Sequence, residues 1–340
     1  MPSVLNRAAN VVVILGTGGT IAGTAASATQ HLGYAAGVLG AADLVMAVPA
    51  LQGQALEAHS LAQLDSCDMD HATWALLAAA AAQHLARPEV AGLVITHGTD
   101  TLEETAYFLH RTVLTTKPLV LTAAMRPATA LSPDGPQNLF DAVTVARHPG
   151  ARGVLAVLGG VVHAGANLRK VHGYRVDAFS SGDAGPVALL EDGRVRPLRE
   201  WPGCELHAAA TRLAGPQAWP VVDIVTSHAG ARGATVDALV AAGAQGLVLA
   251  GTGNGSLHHE LVAAAERALA SGVRVLRASR CQMGGAVDGA RGHADKLPPS
   301  AGTLTPVQAR IELMLDLLAV RFEVPSSARS SMLSSAPPAP

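Results

Sequence analysis

The chain has 340 residues, of which 49% are hydrophobic and 15% are charged, and its formal net charge is −2. This length allows one large or two medium domains, and the apolar fraction predicts an extensive buried core. Aromatic residues are only 3% of the chain, whereas nucleic-acid-binding proteins usually have basic surfaces and stack bases on aromatic rings, so we expect no nucleic-acid partner.

Neither the cysteines nor the apolar segments indicate an exported or membrane protein. Cys67, Cys204 and Cys281 are widely spaced and odd in number, which fits neither a disulfide framework nor a zinc site. Residues 1–10 show no separate signal-peptide pattern, and the longest apolar runs, such as 74–82, are shorter than the roughly 20 residues of a membrane span. We therefore expect a cytoplasmic protein with no membrane partner.

Strand and helix patterns alternate from residue 11 to residue 158. A buried strand at 11–15 leads into a glycine-rich turn, and a second buried strand at 90–96 ends in His97-Gly98-Thr99-Asp100. The helix that follows opens with Asp100-Thr-Leu-Glu103, which fits a capping box. Further strands are predicted at 59–65, 119–124 and 153–158, and helices at 41–50, 70–87 and 138–147.

The alternation predicts an α/β fold with a larger N-terminal domain, whose parallel-rich sheet is flanked by helices, and a smaller C-terminal α/β domain. It is lost over 159–200 and resumes at 221. We assign the N-terminal domain to 1–200, a linker to 201–219, the C-terminal domain to 220–325, and a disordered Ser/Ala/Pro tail to 326–340.

The glycine-rich turn at 16–23 allows three interpretations. A dinucleotide fingerprint is disfavoured because the third glycine is misplaced, and a P-loop is disfavoured because the lysine is missing. The remaining functional interpretation is a nucleophilic Thr20 surrounded by backbone N–H donors, which could stabilise an oxyanion. The structural alternative is a tight turn in which Thr20 caps a helix.

A second threonine follows the other buried strand. Thr99 and Asp100 stand directly after residues 90–96, so both threonines are expected at the carboxyl edge of one sheet, where open α/β sheets bind ligands. The structural alternative is that Asp100 only caps the next helix. We interpret the neighbouring His97 as structural.

Several long motifs, in the correct order and spacing, resemble the bacterial L-asparaginases over residues 10–320. They are TGGTIAG at 17–23, ITHGTDTLEETAY at 95–107, AMRP at 124–127, SPDGP at 132–136, AGTGNG at 250–255 and AGTL at 301–304.

The resemblance implies a cofactor-free and metal-free amidohydrolase that converts L-asparagine to L-aspartate and ammonia. Thr20 would attack the amide and form an acyl-enzyme, supported by a triad of Thr99, Asp100 and Lys170, with Tyr34 on a mobile lid. From its sequence context alone, Lys170 could equally belong to a solvated basic turn. The substrate-binding set implied by the resemblance consists of Gly19, Asp65, Ser66, Cys67, Thr99, Asp100, Ala124 and Ser256.

Within that set, Ser66 would bind the α-carboxylate of the substrate and Asp100 its α-amino group. Cys67 departs from the family, because many asparaginases have Gln or Glu there. Ser256 departs as well, since it stands where Asn often reaches the neighbouring subunit's site, and the family's glutamate from that neighbour has no match in 281–296. These departures leave the preference between asparagine and glutamine open.

The resemblance also implies a homotetramer in which a neighbouring subunit completes each site. Four alternatives are retained: a broader glutaminase-asparaginase, a catalytically inactive amino-acid-binding relative, an amidotransferase subunit that releases ammonia for a tRNA-bound substrate, and, from a different class, a nucleotide-binding reductase.

Overall fold

A computed structural model describes residues 10–29, 33, 35–210, 213, 218–288 and 297–323 of the chain. The chain divides into two compact units between residues 206 and 207, within the segment assigned above as a linker. The proposed tail at 326–340 lies outside the described residues. No helix in the described part is long and apolar enough to cross a membrane.

The described residues of the larger unit form ten strands and four α-helices. The strands are β1 (Val11–Gly18), β2 (Leu56–Leu64), β3 (Val90–Thr96), β4 (Pro118–Thr122), β5 (Gly153–Leu158), β6 (Val161–Ala164), β7 (Arg169–Lys170), β8 (Phe179–Ser180), β9 (Ala188–Glu191) and β10 (Arg194–Pro197). The helices are α1 (Ala41–Met46), α2 (His71–Leu85), α3 (Leu102–Thr112) and α4 (Gly135–Arg147).

Eight of these strands form one sheet, in the order β10-β9-β6-β5-β4-β3-β1-β2. Five neighbours in this order, β5, β4, β3, β1 and β2, are parallel to one another. Their order reverses at β1, because the chain first adds β2 on one side of β1 and then β3 on the other. This arrangement confirms the predicted α/β class with a parallel-rich sheet.

Strands β1, β3, β4 and β5 are largely apolar and buried, as expected for parallel strands covered by helices on both faces, whereas β2 at the edge of the sheet is partly exposed. Successive side chains of a strand point to opposite faces. On β1, Val12 and Ile14 pack into a cluster with apolar residues of α1 and α4, while Val13 and Leu15 face the other side, and all four are at most 1% exposed. The core of this unit therefore lies on both sides of the sheet.

Residues 159–200 depart from the expected alternation in a specific way. β6, β9 and β10 extend the sheet as antiparallel strands, and β7 and β8 form a separate two-stranded ribbon. The antiparallel strands of the parallel-rich sheet therefore come from the segment in which the alternating pattern is lost. These strands have two to four residues, too short for a hydrophobic period to be visible.

The smaller unit is a three-stranded parallel sheet with helices, which confirms the predicted C-terminal α/β domain. Its strands are β11 (Val222–Thr226), β12 (Gly246–Gly251) and β13 (Arg274–Ser279), and its helices are α5 (Ala234–Ala241), α6 (His259–Ala270) and α7 (Pro306–Glu323). A second apolar cluster joins the strands to α5 and α6.

The turn after β4 is held to the start of α4 by one carboxylate. Asp134 accepts hydrogen bonds from the backbone N–H groups of Met125 (2.9 Å) and Arg126 (3.0 Å). Asn138, one turn later, donates to the carbonyl of Ala123 (2.9 Å). The Ser-Pro-Asp-Gly-Pro motif therefore fixes the end of β4 through Asp134.

We expect Asp134→Ala to lower the free energy of unfolding by about 2–4 kcal/mol, because two N–H donors lose a charged acceptor. Chemical denaturation measures this change. Glu191→Ala is the control, since the exposed Glu191–Arg196 ion pair is worth at most about 1 kcal/mol. Equal losses in the two variants would contradict the role given to Asp134.

Candidate functional site

The site predicted from the sequence lies where the strand order reverses, at the carboxyl ends of β1 and β3. Open α/β sheets bind ligands at such a switch point because the connections leave in opposite directions and open a crevice. The two strand ends are joined by the side chain of Thr17, whose Oγ1 donates to the carbonyl of Thr96 (3.0 Å). The fold therefore brings the segments carrying Thr20 and Thr99 to one edge of the sheet.

The turns after β1 and β3 are in direct backbone contact. A Cβ atom on Gly19 would lie 2.3 Å from the Cα of Gly98, and Gly19 also has a positive φ of 78°. A Cβ atom on Gly98 would lie 2.4 Å from Oγ of Ser66. Glycine is required at Gly19 because a side chain there would force the two turns apart, and at Gly98 because a side chain would displace Ser66.

Gly19 uses its N–H group within the fold, where it donates to the carbonyl of Leu64 (2.9 Å). This bond ties the turn to the end of β2. The structure thus gives Gly19 a conformational role in the turn that precedes Thr20.

Thr20 begins a short 3₁₀ helix, Thr20–Ala22, and is 6% exposed. The loop after it is bonded to the segment that follows β4: Ala128 N–H donates to the Gly23 carbonyl (3.0 Å), and Ala25 N–H donates to Oγ1 of Thr129 (2.8 Å). Tyr34, the predicted lid residue, lies outside the described residues.

Lys170 joins Thr99 and Asp100 in one hydrogen-bonded group. Its Nζ donates to Oγ1 of Thr99 (3.0 Å) and to Oδ1 of Asp100 (2.5 Å). The Lys170 side chain is 19% exposed and that of Asp100 is 54% exposed, whereas Thr99 is buried. The three residues that the resemblance implied as a triad are therefore in mutual contact, although about 70 residues separate Lys170 from the other two.

Glu103 was not singled out as a site residue. α3 begins after Thr101, and no side-chain capping bond is formed there, so the expected capping box is wrong. Oε2 of Glu103 instead accepts the backbone N–H of Lys170 (2.6 Å), and burial raises the pKa of this carboxyl. An acid in the first turn of a helix gives no sequence signal for such a distant partner.

Ser66, Asp65 and Cys67 lie after β2 and next to Asp100. Ser66 is 1% exposed, and its Oγ accepts the backbone N–H of Asp100 (3.1 Å), which leaves the hydroxyl proton for donation. Ligand atoms of Asp65, Cys67 and Asp100 lie within 4.8 Å of one another, and all three residues are exposed. An exposed cluster of this kind does not by itself define a metal centre.

The surroundings of Cys67 carry negative charge. Desolvation, followed by the charges of Asp65, Asp68 and Asp100, raises the pKa of its thiol. The same negative potential would attract a ligand cation such as an α-ammonium group.

The last two predicted substrate-binding residues, Ala124 and Ser256, lie on other segments of the chain. Ala124 is completely buried after β4, so only its main chain is suited to a ligand contact. Ser256 belongs to the smaller unit, where it pairs with Thr252 across a tight turn. The buried Arg277 supports that turn by donating to the Asn254 carbonyl (2.5 Å).

The fold is of the α/β class, and it places Thr20 and Thr99 in turns at the carboxyl edge of parallel strands. Comparisons with known proteins agree. Residues 11–202 match the model "Asparaginase, N-terminal", and residues 221–320 match the model "Glutaminase/Asparaginase C-terminal domain". The chain belongs to the asparaginase family of amide hydrolases.

Individual relatives span nearly the whole chain. L-asparaginase 2 of Bacillus subtilis is 38% identical over 89% of this chain and 81% of its own length. The glutaminase-asparaginase of Pseudomonas fluorescens is 36% identical over 90% of this chain and 86% of its own. A crystal structure of the probable cytoplasmic L-asparaginase from Campylobacter jejuni has a TM-score of 0.84 at 36% identity, covering 91% of this chain and 95% of that one.

His97 supports the turn between β3 and Thr99 from within the core. The ring is completely buried, and its Nδ1 bonds the Gly98 carbonyl (2.7 Å). Because a carbonyl only accepts, Nδ1 carries the proton and Nε2 accepts from the Thr105 hydroxyl (3.0 Å), which itself accepts from Trp74 (2.9 Å). Burial lowers the pKa of His97 to about 4, so the ring is neutral at physiological pH.

We expect the buried histidines to make the protein less stable in acid. The unfolded chain takes up a proton near pH 6.5 while folded His97 and His163 do so near 4, so unfolding free energy falls as the pH drops through that interval, by about 3 kcal/mol for each histidine. His97→Asn keeps an N–H donor for the Gly98 carbonyl and removes one titrating group. Denaturation curves at several pH values should show a shallower loss for this variant.

The wild type, measured over the same pH range, provides the reference slope. A His97→Asn protein with the wild-type slope between pH 6.5 and 4 would show that His97 titrates normally in the folded state.

Proposed function

We propose that this chain hydrolyses the side-chain amide of L-asparagine, giving L-aspartate and ammonia through an acyl-enzyme on Thr20. The observation that carries the proposal is the contact of Lys170 with Thr99 and Asp100, on a turn whose backbone abuts the turn leading to Thr20. The family and its relatives named L-asparaginase support the same reaction.

In the proposed first half-reaction, Oγ of Thr20 attacks the amide carbon and its hydroxyl proton is passed on to the departing nitrogen. The C–N bond breaks, ammonia leaves, and an ester joins the aspartyl group to Thr20. In the second half-reaction, water attacks the ester, one of its protons returns to Oγ of Thr20, and L-aspartate is released. Atoms and charge balance without an added cofactor.

Lys170 and Thr99 are proposed to move protons during these steps. A lysine accepts a proton only when it is neutral, and Nζ of Lys170 lies 2.5 Å from Oδ1 of Asp100. If the substrate's α-ammonium binds Asp100, it competes with Lys170 for that carboxylate. Substrate binding would therefore weaken the contact between Lys170 and Asp100.

The two ends of the amino acid have suitable partners. Asp100 has a half-exposed carboxylate within an acidic cluster, which suits the α-ammonium group. The Ser66 hydroxyl is suited to donate to the α-carboxylate. These assignments place the side-chain amide of the substrate towards the turn that carries Thr20.

We also propose that the enzyme is a cytoplasmic homotetramer and that a neighbouring subunit contributes Ser256 to each site. A tetramer follows from the resemblance to bacterial asparaginases, and the cytoplasm from the description of the Campylobacter jejuni relative. Size measurement in solution and fractionation of the source cells test these two points.

We expect ammonia release from L-asparagine by the wild type and at least a thousandfold loss of kcat in Thr20→Ala, since removing a nucleophile typically costs about that much or more. The assay runs in parallel with L-glutamine, because one relative is named a glutaminase-asparaginase. Comparable turnover of glutamine would show that the enzyme is a broader glutaminase-asparaginase and not a selective asparaginase. A fully active Thr20→Ala protein would exclude Thr20 as the nucleophile.

We expect Cys67→Gln to lower the KM for L-asparagine by about fivefold, the effect of one hydrogen bond worth about 1 kcal/mol. A thiol is a weak donor and acceptor, whereas an amide can bond the α-ammonium through its oxygen. Cys67→Ala is the matched control and should leave KM unchanged or raise it. An unchanged or higher KM in Cys67→Gln would contradict a contact between this position and the substrate.

A further inference from the structure

Lys170 enters the site from outside the large sheet. It lies on β7, which pairs with β8 through only two residue pairs, and Val171 N–H adds one bond to the Ala178 carbonyl. An isolated two-stranded ribbon is marginally stable. The ribbon alone therefore cannot place the Lys170 main chain precisely relative to Thr99.

The main chain of Lys170 is tied to the same segment that its side chain contacts. Oε2 of Glu103, in the first turn of α3, accepts the backbone N–H of Lys170 at 2.6 Å. The Nζ atom reaches Thr99 and Asp100, which stand just before α3. The segment 99–103 therefore binds Lys170 both at its backbone N–H and at its Nζ atom.

We propose that Glu103 is a positioning residue for Lys170: its bond to the Lys170 main chain sets the reach of Nζ to Thr99 and Asp100. This inference deepens the function proposed above and rests on it. A lysine side chain has four rotatable carbon–carbon bonds and much conformational entropy to lose. Fixing its base limits the conformers that bring Nζ to the two oxygen atoms.

Two substitutions separate the reach of Glu103 from its charge. Glu103→Gln keeps the length of the side chain and a carbonyl oxygen that can accept the Lys170 N–H. Glu103→Asp keeps the charge but shortens the side chain by one bond of about 1.5 Å, which breaks a bond of 2.6 Å. Glu104→Asp makes the same chemical change one residue further along α3 and is the matched control.

We expect Glu103→Gln and Glu104→Asp to keep kcat within about threefold of the wild type. Glu103→Asp should lose about tenfold to a hundredfold in kcat, since a displacement near 1 Å can cost about a hundredfold. Its KM for L-asparagine should change by less than about threefold, because the proposed contacts to the α-groups remain. Thermal melting of each variant shows whether it is folded.

A second readout does not depend on activity. The chain has three lysines, Lys117, Lys170 and Lys296, so mass spectrometry after brief treatment with an amine-acetylating reagent reports each one separately. Lys117, whose Nζ is bonded to the Arg87 carbonyl (2.6 Å), serves as the internal reference. The acetylation of Lys170 relative to Lys117 should rise several-fold in Glu103→Asp and stay at the wild-type level in Glu103→Gln.

Three results would overturn the proposal. In the first, Glu103→Asp retains wild-type kcat and Lys170 labelling. In the second, Glu103→Gln is as impaired as Glu103→Asp, which would show that an acceptor oxygen at the right distance is not sufficient. In the third, kcat falls while Lys170 labelling does not change. If the wild type releases no ammonia from either amino acid, the proposed function fails, whereas the labelling comparison still decides the positioning role of Glu103.

Discussion

The contact between the backbones of Gly19 and Gly98 is the constraint on which the site depends. Two neighbouring parallel strands end together, and the turns that leave them touch with no side chain between them. The hydroxyl of Thr17 joins the two strand ends by its bond to the Thr96 carbonyl. The side chain of Ser66 fills the space beside Gly98. Residues that follow either turn are consequently neighbours. A buried, rigid sheet edge can position two hydroxyl groups in this way more precisely than loops could.

The charged part of the site is added to this edge from a distant part of the chain. Lys170 comes from a ribbon inserted in the chain between β6 and β9, two strands of the antiparallel extension of the sheet. The parallel strands supply a fixed edge. The segment at 159–200 supplies Lys170, whose Nζ reaches that edge at Thr99 and Asp100. Two carboxyl groups of the turn and helix after β3 receive this lysine: Asp100 binds its side chain, and Glu103 binds its main chain. The backbone shape of the site and its lysine therefore have separate structural origins.

The sequence predicts the strand ends of the site but not the residues that reach them from elsewhere in the chain. Strands β1 and β3 are long, apolar and followed by glycine and threonine, so periodicity and turn chemistry were enough to place both threonines at one sheet edge. Lys170 required the family resemblance, because Asn-Leu-Arg-Lys has no periodic or local signal. Glu103 was missed because a carboxylate in the first turn of a helix also suits the helix dipole. Long-range pairs between short elements are set by tertiary contacts, which one sequence does not display.

The acidic surroundings of Cys67 connect the electrostatics of the site with its selectivity. Asp65, Asp68 and Asp100 create a negative potential that raises the pKa of this thiol and that an α-ammonium group would relieve. Charge attraction is non-directional, so it can hold the amino end of a substrate without fixing its orientation. Directional bonds must then come from Ser66 and from position 67, where a thiol is a poor donor and acceptor. Asparagine and glutamine differ by one methylene, and a clamp that tolerates a shift of the amino end discriminates weakly between them. Under the proposed function, selectivity in this chain would therefore depend on how firmly position 67 fixes the α-carbon relative to Thr20.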